Sequence, residues 1–475
     1  MMFLNRTEEL RALAKLGRAG GLAVVWGRRR IGKTRLLVEW CDREGGVYTV
    51  ADQAAPDTQR AYFARAIAQV LPGFDAVAYP DWERLFARLA ADAITHKFSG
   101  PIVIDELPYL VAGSPELPSV LQRWIDHDAR RAHLRVAIAG SSQRMMQGLV
   151  LSHAAPLFGR SGVILDLRGM DPQHMARVFG KLSSVALIEH WAAWGGIPRY
   201  WELASERRGT ARDRLVELAL DPLGPLFTEP ERLLLEESPP ATEVRPILDA
   251  IGAGANRLSE IAGRLGRAAT SMGRPLDRLI GMGLIRREVP YGEPERSGKR
   301  SLYKIDDPFL RMWFRVVAPS RAALTVGSRA SRRAALDQYW TALVAQAWED
   351  MCRAGLPYVK RAVGKLGPWR PPQRYWRGSE PDWDLVADST DGKRVVVGDA
   401  WFHTKPATAS SLNHEAARLA ARPLPAAIAG QEVIRALFVP AIAADVARTH
   451  HGVHVVVLSD FVAHRDKTTA ARSAR

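Results

Sequence analysis

The chain has 475 residues, 47% of them apolar and 25% charged, and its formal net charge is +15 at pH 7. Its two cysteines, Cys41 and Cys352, lie far apart and exclude a disulfide framework or a cysteine-based zinc site, and no segment approaches the about 18 apolar residues that a membrane span needs. The positive charge favours a polyanionic partner, first of all nucleic acid, although an arginine-rich composition that only keeps a chain soluble would give the same excess.

The first predicted strand, residues 22–26, runs directly into a phosphate-binding sequence. Residues 27–34 read GRRRIGKT, which is the pattern G-x-x-x-x-G-K-T. The backbone N–H groups of such a turn surround an anion, and the helix that begins near Lys33 adds its positive N-terminal dipole. We expect Lys33 to reach the terminal phosphates of a nucleotide and the Thr34 hydroxyl to bind Mg²⁺. The predicted phosphate-binding residues are Gly27, Arg28, Arg29, Arg30, Ile31, Gly32, Lys33, Thr34 and Arg35.

Short apolar strands alternate with helical patterns from residue 1 to about residue 171. The predicted strands are 22–26, 47–50, 101–106, 134–140 and 162–167. Helical patterns such as 58–70 and 81–95 separate them. This alternation predicts an α/β fold in which a parallel sheet carries helices on both faces.

An adjacent pair of acids, Asp105 and Glu106, ends the predicted strand 101–106, after its buried residues 102–104. A nucleotide site needs one acid for the magnesium shell and one base to orient the attacking water. We therefore expect Asp105 to bind Mg²⁺ through water and Glu106 to polarise the nucleophile. Turns often carry such a pair, so its weight comes from the phosphate-binding sequence before it.

Two further positions are candidates for catalysis. The strand 136–142 ends in serines, and Ser141, or else Ser142, is placed to contact the γ-phosphate or the attacking water; a serine that only satisfies a turn fits as well. Arg160 precedes the last strand and is a candidate arginine finger, acting in cis or from a neighbouring subunit. An arginine that binds a surface carboxylate has the same spacing.

Five segments of the first half form a distinctive set. They are FLNRTEEL (3–10), GRRRIGKTRL (27–36), IDELPYL (104–110), GSS (140–142) and PLFGR (156–160). Together they resemble the archaeal-type ATPases, which belong to the signal-transducing STAND branch of P-loop ATPases, near AAA+. The resemblance implies an AAA-like core, ATP and Mg²⁺ as cofactors, and adenine contacts from the segment around Asn5 and Arg6.

The middle of the chain has a different texture. Residues 172–235 are helical in pattern, with a break at 194–201, and the prolines of 238–240 indicate a linker. Residues 243–305 then show three helices and two strand-like pieces around a basic tip, which is the outline of a winged helix-turn-helix. Residues 310–345 are again helical and basic.

The winged helix-turn-helix offers candidate DNA contacts. Those on its third helix are Ser271, Arg274 and Arg278, and those on its tip are Arg296, Lys299 and Arg300. Phosphate contacts of this kind would bind double-stranded DNA without strong sequence preference, because the helix lacks the Asn and Gln richness of a base reader. A winged helix that packs as a lid beside the nucleotide is the alternative.

The last part, residues 346–464, returns to an α/β texture. Many members of the family that the first half resembles carry a C-terminal domain similar to PD-(D/E)XK nucleases. That resemblance implies a restriction-endonuclease-like fold with Glu349, Asp384 and Asp399 at its acidic metal site. Solvated acids at a strand edge, with Asp382 among them, are the plain alternative.

One residue type is missing from this nuclease-like site. Trp401 occupies the position where the resemblance implies a lysine, and tryptophan cannot supply a positive charge. Lys405 would compensate only if the strand ended early and turned back. We therefore expect a degenerate, non-cutting domain.

The sequence thus predicts several domains and a cytoplasmic, non-membrane protein, with a homo-oligomer left open. The domains are a P-loop core (1–171), a helical lid and linker (172–240), a winged helix-turn-helix (241–308), a helical connector (309–345) and the nuclease-like domain (346–464). The function that we expect is a DNA-associated ATPase switch. The alternatives are an ATP-gated nuclease of a defence or mobile-element system and a non-enzymatic signalling scaffold.

Overall fold

The computed structural model divides into two compact units. It describes residues 3–17, 19–141, 146–151, 153, 155–237, 243–296, 300–359, 367–428 and 430–462. One unit is Met1–Met170 with Ile197–Arg199, and the other is Asp171–Gly196 with Tyr200–Arg475. The first unit ends within one residue of the predicted boundary at residue 171, whereas the other four predicted domains fall in the second unit, except for residues 197–199.

The first unit is built on a five-stranded parallel sheet. Its strands are β1 (Gly21–Trp26), β2 (Val47–Val50), β3 (Pro101–Asp105), β4 (Arg135–Gly140) and β5 (Ser161–Asp166). Their spatial order is β2-β3-β4-β1-β5, and each pair is parallel. The predicted α/β sheet is therefore confirmed, with strand ends within one residue of the predicted ones. Because all these strands run the same way, the carboxyl ends of β1, β3 and β4 meet at one edge.

Helices connect these strands. They are α1 (Thr7–Ala14), α2 (Lys33–Glu44), α3 (Pro56–Ile67), α4 (Trp82–Thr95), α5 (Leu107–Gly113) and α6 (Leu117–Trp124). Local sequence signals place their ends: the Asp81 side chain caps α4 by accepting a hydrogen bond from the Arg84 N–H at 2.7 Å, and Gly45 ends α2 in the left-handed conformation. Every residue of β3 is buried, as expected for a central parallel strand covered on both faces.

The second unit begins with helices. They are α7 (Ala176–Phe179), α8 (Ser184–Trp194), α9 (Pro198–Ser205), α10 (Ala211–Leu215), α11 (Glu229–Glu237), α12 (Arg245–Gly252), α13 (Leu258–Arg264) and α14 (Gly273–Gly281). An antiparallel hairpin of β6 (Ile285–Glu288) and β7 (Leu302–Ile305) follows. The order of three helices and a hairpin matches the pattern of residues 243–305, except that the third helix starts at Gly273, after a short 3₁₀ turn over Ala269–Ser271.

A long helix leads into a mixed sheet. The helices are α15 (Pro308–Met312), α16 (Ala318–Val326), α17 (Arg329–Gly355) and α18 (Ala409–Ala421). The strands are β8 (Gln373–Arg377), β9 (Glu380–Asp388), β10 (Arg394–Ala400), β11 (Glu432–Val439), β12 (Thr449–His450) and β13 (Val453–Val457). They lie in the order β12-β13-β11-β10-β9-β8, where β10, β11 and β13 are parallel and β9 is antiparallel to both of its neighbours. The predicted domain boundary at residue 345 falls inside α17, so the predicted helical connector and the predicted last domain share this helix.

A buried ionic network joins the hairpin to α17. The carboxylate of Asp350 on α17 accepts hydrogen bonds from Arg286 (2.6 Å), Arg311 (2.7 Å) and Arg353 (2.5 Å). Burial would raise the pKa of Asp350, but these guanidinium groups outweigh burial and hold the pKa well below its usual range. Since a buried charge is tolerated only with such partners, the network fixes the hairpin against the long helix.

Within the described part of the chain, no helix combines the length and the apolar character needed to cross a bilayer.

Candidate functional site

The turn between β1 and α2 has the backbone of a phosphate-binding loop. Gly27, Arg30 and Gly32 all have positive φ angles, of 148°, 64° and 97°. A Cβ atom on Gly27 would lie 2.5 Å from the Leu167 carbonyl oxygen, so only glycine fits where this turn passes the chain leaving β5. Gly32 forms the N-cap of α2, which brings the N-terminal N–H groups of the helix to the turn.

Lys33 folds back over this turn. Its side chain is buried (the residue is 5% exposed), and its Nζ donates hydrogen bonds to the carbonyl oxygens of Gly27 at 2.7 Å and of Arg28 at 3.2 Å. The ammonium group therefore lies within the loop. This is the position from which it can neutralise phosphate charge.

Thr34 and Asp105 form a pair of oxygen donors beside the loop. The Thr34 hydroxyl donates to Oδ2 of Asp105 at 2.9 Å, and Asp105 is almost completely buried. The Glu106 N–H donates to the other carboxylate oxygen at 2.9 Å. Hydroxyl and carboxylate oxygens are ligands that Mg²⁺ prefers, so the donor set fits the expected metal.

Tyr48 is a member of this cluster that the sequence analysis missed. Its hydroxyl donates to Oδ2 of Asp105 at 2.7 Å, the same oxygen that accepts from Thr34. Burial, and then the charge of Asp105, raises the pKa of Tyr48 well above its usual value, so the phenol stays protonated and remains a donor. Because Val50 of β2 pairs with Asp105, Tyr48 lies two residues back on the same face of the sheet. Only the pairing of β2 with β3 reveals this contact.

Glu106 and Ser141 are in direct contact at the same edge. The Ser141 hydroxyl donates a hydrogen bond to the Glu106 carboxylate, and the Ser141 N–H donates to it at 3.3 Å. Glu106 has a φ of 53°, a strained value that turns its side chain out of the strand direction. The two predicted residues, Glu106 and Ser141, therefore contact each other directly at the carboxyl edge of the sheet. Ser142 lies outside the described residues.

Arg6 fastens the N-terminal segment to the phosphate-binding loop. Its guanidinium donates to the carbonyl oxygens of Ile31 at 2.9 Å and Arg168 at 2.7 Å, and it forms an ion pair with Glu9. Asn5 lies next to it and accepts from the Thr7 hydroxyl at 3.2 Å. The guanidinium of Arg6 is therefore engaged with the loop backbone.

Arg160 lies at the other edge of the sheet from the phosphate-binding loop. The register pairs Leu22, at the start of β1, with Ser161, at the start of β5, whereas the loop follows the end of β1. The side chain of Arg160 binds Asp126 through two hydrogen bonds of 2.9 and 3.0 Å to its carboxylate. Five strand residues at about 3.3 Å each separate it from the loop, so it cannot act in cis. The alternative of a carboxylate-bound arginine describes its contacts in this chain.

Pro198 lies close to the phosphate-binding loop, and the sequence analysis did not assign it a role. Residues Ile197–Arg199 belong to the first unit although they follow residue 170 by a long helical segment. A Cβ atom on Gly32 would lie 3.9 Å from Cγ of Pro198. The predicted break in the helical pattern at 194–201 was the only signal.

The three acids of the predicted nuclease-like site do not form a metal cluster. Arg422 binds Asp399 through both carboxylate oxygens, one of them at 2.7 Å, and Asp384 accepts from the Ala400 N–H at 3.0 Å. Burial, and then the negative charge of Asp384, raises the pKa of Glu349. Across the described ranges, no group of three or more His, Cys, Asp or Glu side chains is arranged to hold a metal ion.

Trp401 and Lys405 do not restore the missing charge. Trp401 packs against the core of the mixed sheet, and its ring lies 5.2 Å from that of His403. Strand β10 ends at Ala400, as compensation would require, but Lys405 is exposed, and its backbone N–H donates to His403 at 3.1 Å. Asp382, the further acid considered, is also exposed.

Among the described candidate DNA contacts, some are exposed and two form ion pairs. Ser271, Arg274 and Arg296 are exposed. Arg278 donates to Glu243 at 3.2 Å, and Arg300 donates to Glu293. Lys299 lies outside the described residues.

Comparisons with known proteins identify an ATPase domain in the first part of the chain. Residues 3–203 match an ATPase domain found predominantly in Archaea. An uncharacterized protein of Methanocaldococcus jannaschii is 31% identical over 328 residues, which cover 69% of this chain and 71% of that protein. The structure of a Walker-type ATPase of Pyrococcus abyssi is similar with a TM-score of 0.53 and 20% identity, over 66% of this chain and 96% of that one. This last similarity supports the fold.

Proposed function

The chain belongs to the family of ATPase domains that occur predominantly in Archaea, and on this premise we propose that it is an ATP-hydrolysing nucleotide switch that associates with DNA. The proposal rests mainly on the arrangement of Lys33, Thr34 and Asp105 around the phosphate-binding loop. Lys33 lies within the loop, and the Thr34 hydroxyl contacts Asp105 at 2.9 Å. A nucleoside triphosphate needs a lysine beside its phosphates, and its metal ion needs hydroxyl and carboxylate ligands.

Each of these residues has a proposed role. Loop N–H groups and Lys33 would bind the phosphates, while Thr34 and Asp105 would hold Mg²⁺, which would supply neutralisation of the charge that develops on the phosphates. Glu106 orients the attacking water. We assign Ser141 the role of positioning Glu106, because its hydroxyl and N–H both donate to that carboxylate. Arg160 is too far from the phosphate-binding loop of its own chain, so any role as an arginine finger would be at the loop of a neighbouring copy of the chain.

Replacement of Lys33 by alanine tests this proposal. We expect Lys33→Ala to lower the rate of phosphate release from ATP by about 100-fold or more, because one cation that stabilises transition-state charge is lost. Lys15→Ala is the matched control, since Lys15 is exposed at the end of α1.

Hydrolysis by Lys33→Ala at the parent rate would refute the proposed ATPase. Tight nucleotide binding by the parent protein with negligible phosphate release would instead favour the signalling scaffold. Both quantities come from one titration of the purified chain with ATP and Mg²⁺.

We propose that the association with DNA involves the three helices and the hairpin of residues 245–305, interpreted as a winged helix-turn-helix. The order α12, α13, α14, β6 and β7 supports this interpretation. Exposed Ser271 and Arg274 on or next to the third helix are available for phosphate contacts. Part of the connection between β6 and β7 is bound to the mixed sheet. The Tyr291 N–H donates to the Arg374 carbonyl at 2.8 Å, and the Tyr291 hydroxyl donates to Asp388 at 2.7 Å.

We propose that the mixed sheet is a nuclease-like domain without cutting activity. The order of α17, β8, β9, β10, α18 and β11 supports the resemblance to PD-(D/E)XK nucleases. The pairing of Asp399 with Arg422 and the tryptophan at position 401 support loss of the metal chemistry.

A further inference from the structure

A polar cavity lies within the second unit, apart from the residues assigned above to ATP. It has a volume of about 580 Å³ and is bounded by the turn after α12, the start of α13, β7, the second half of α17 and β8. Its polar lining consists of Asn256, Arg257, Glu260, Lys304, Gln346, Glu349 and Arg374. A second cavity of about 210 Å³ shares Asn256, Lys304 and Gln346 with it. The two are therefore neighbouring parts of one groove, which we call the α17 groove.

The cations of the α17 groove include buried ones. Lys304 is only 7% exposed, and Arg311, which lines the smaller cavity, is 6% exposed. Nη1 of Arg311 and Nε of Arg374 are buried donors without a hydrogen-bond partner among the described residues. An unsatisfied buried donor costs free energy, so donors of this kind are a reason to look for an acceptor that binds there.

Basic residues outnumber acidic residues in the lining of the two cavities, which contains Arg257, Lys304, Arg311, Arg315 and Arg374 against Glu260 and Glu349. Glu260 is committed to the start of α13, where it accepts from the N–H groups of Asn256 at 2.9 Å and Arg257 at 3.1 Å. Two acids outside the lining are already ion-paired: Glu288 with Lys304 at 3.1 Å and with Arg374 at 3.8 Å, and Asp350 with Arg311 at 2.7 Å. The lining of the groove thus carries a surplus of basic over acidic side chains, which favours an anionic ligand.

The size of the cavity and the side-chain amides in its lining indicate which class of ligand fits the groove. A cavity of about 580 Å³ exceeds what an inorganic anion fills. The amides of Asn256 and Gln346 carry both donors and acceptors, as the edge of a nucleobase does. Arg315 and Tyr339, which stack at 4.7 Å, line the smaller cavity and add a flat surface.

We propose that the α17 groove binds a phosphorylated nucleotide, either free or at the end of a single nucleic-acid strand, with Arg257, Lys304 and Arg374 as the phosphate-binding residues. The site is separate from the phosphate-binding loop and does not depend on ATP hydrolysis there. Arg257, whose side chain is 64% exposed, lies at the mouth of the groove, while Lys304 lies at its floor.

The test uses the full chain with ADP and Mg²⁺ in saturating amount, so that the phosphate-binding loop is occupied. The probe is a 5′-phosphorylated trithymidylate with a 3′ fluorescein, and the readout is fluorescence anisotropy. We expect Arg257→Ala and Arg374→Ala each to weaken binding about tenfold, because each removes a charge-assisted hydrogen bond. Arg329→Ala, on the exposed first turn of α17, is the matched control and binds as the parent does.

A trithymidylate with neutral methylphosphonate linkages and no 5′ phosphate serves as the ligand control, and we expect it not to bind. If AMP displaces the probe, a free nucleotide is sufficient for binding. If AMP does not displace it, the groove needs the end of a nucleic-acid strand. Both results support the proposal. The proposal is overturned if the probe does not bind at millimolar protein, or if Arg257→Ala binds it like the parent. Because Arg257 is exposed, this variant decides the matter even if Arg374→Ala folds poorly, and unchanged ATP hydrolysis by Arg257→Ala separates this result from the loop.

Discussion

The carboxylate of Asp105 accepts hydrogen bonds from three donors: the hydroxyls of Thr34 and Tyr48 and the backbone N–H of Glu106. Lys33, Thr34 and Asp105 could be predicted because each stands at a set distance in a short motif. Tyr48 could not, because it belongs to no motif and reaches Asp105 only through the pairing of β2 with β3. Side chains that orient a ligand commonly escape sequence reasoning for this reason.

Tyr48→Phe tests the role of that hydroxyl. We expect the Mg²⁺ concentration for half-maximal ATP hydrolysis to rise about tenfold, since loss of an outer hydrogen bond loosens the ligand that it orients. The KM for ATP at saturating Mg²⁺ should change little, because Tyr48 contacts Asp105 rather than the loop. Tyr62→Phe, at an exposed tyrosine of α3, is the control. An unchanged Mg²⁺ dependence would remove Tyr48 from the site.

At the scale of single elements, the ends of β9 and β10 decide what the mixed sheet can do. The sequence predicted the α/β character of residues 346–464, which carry the three acids, because strong apolar patterns mark the strands. The ion pair between Asp399 and Arg422 was not predicted, since Arg422 follows α18, 23 residues further along the chain. A long-range pair of this kind leaves no local pattern.

We predict that the parent chain does not cut supercoiled plasmid DNA with either Mg²⁺ or Mn²⁺. Asp399 forms an ion pair with Arg422, and the described residues hold no acidic cluster that could bind the metal. Agarose gel electrophoresis of the plasmid measures this. Cutting that disappears in Asp384→Asn would contradict the prediction, whereas cutting that persists in this variant would come from a contaminating nuclease.

At the scale of the whole molecule, the net charge of +15 is the property that most concerns a partner. Much of the arginine is already engaged, as in the network around Asp350 and the pairs of Arg278 and Arg160. The charge alone therefore overstates the surface that is open to nucleic acid. Exposed residues such as Arg274 remain candidates.

Random-sequence double-stranded DNA should stimulate phosphate release from ATP, and the stimulation should fade as salt rises. Protein that contacts several phosphates releases counterions, so its affinity falls by about 10³-fold or more between 50 and 200 mM salt. The measurement is phosphate release with and without a 20-base-pair duplex over a salt series, with polyglutamate as the control polyanion. A response that is flat in salt, or equal with polyglutamate, would separate the basic surface from the ATPase.

The amino-acid sequence by itself determined the parallel sheet, the phosphate-binding loop and the positions of Lys33, Thr34, Asp105 and Glu106, because these depend on local patterns of apolar, glycine and charged residues. Only the tertiary structure decided which side chains meet: Tyr48 with Asp105, Ser141 with Glu106, Arg422 with Asp399, and the cations that line the α17 groove. These contacts join residues far apart in the chain, and strand pairing and burial, which act across the fold rather than along the sequence, bring them together.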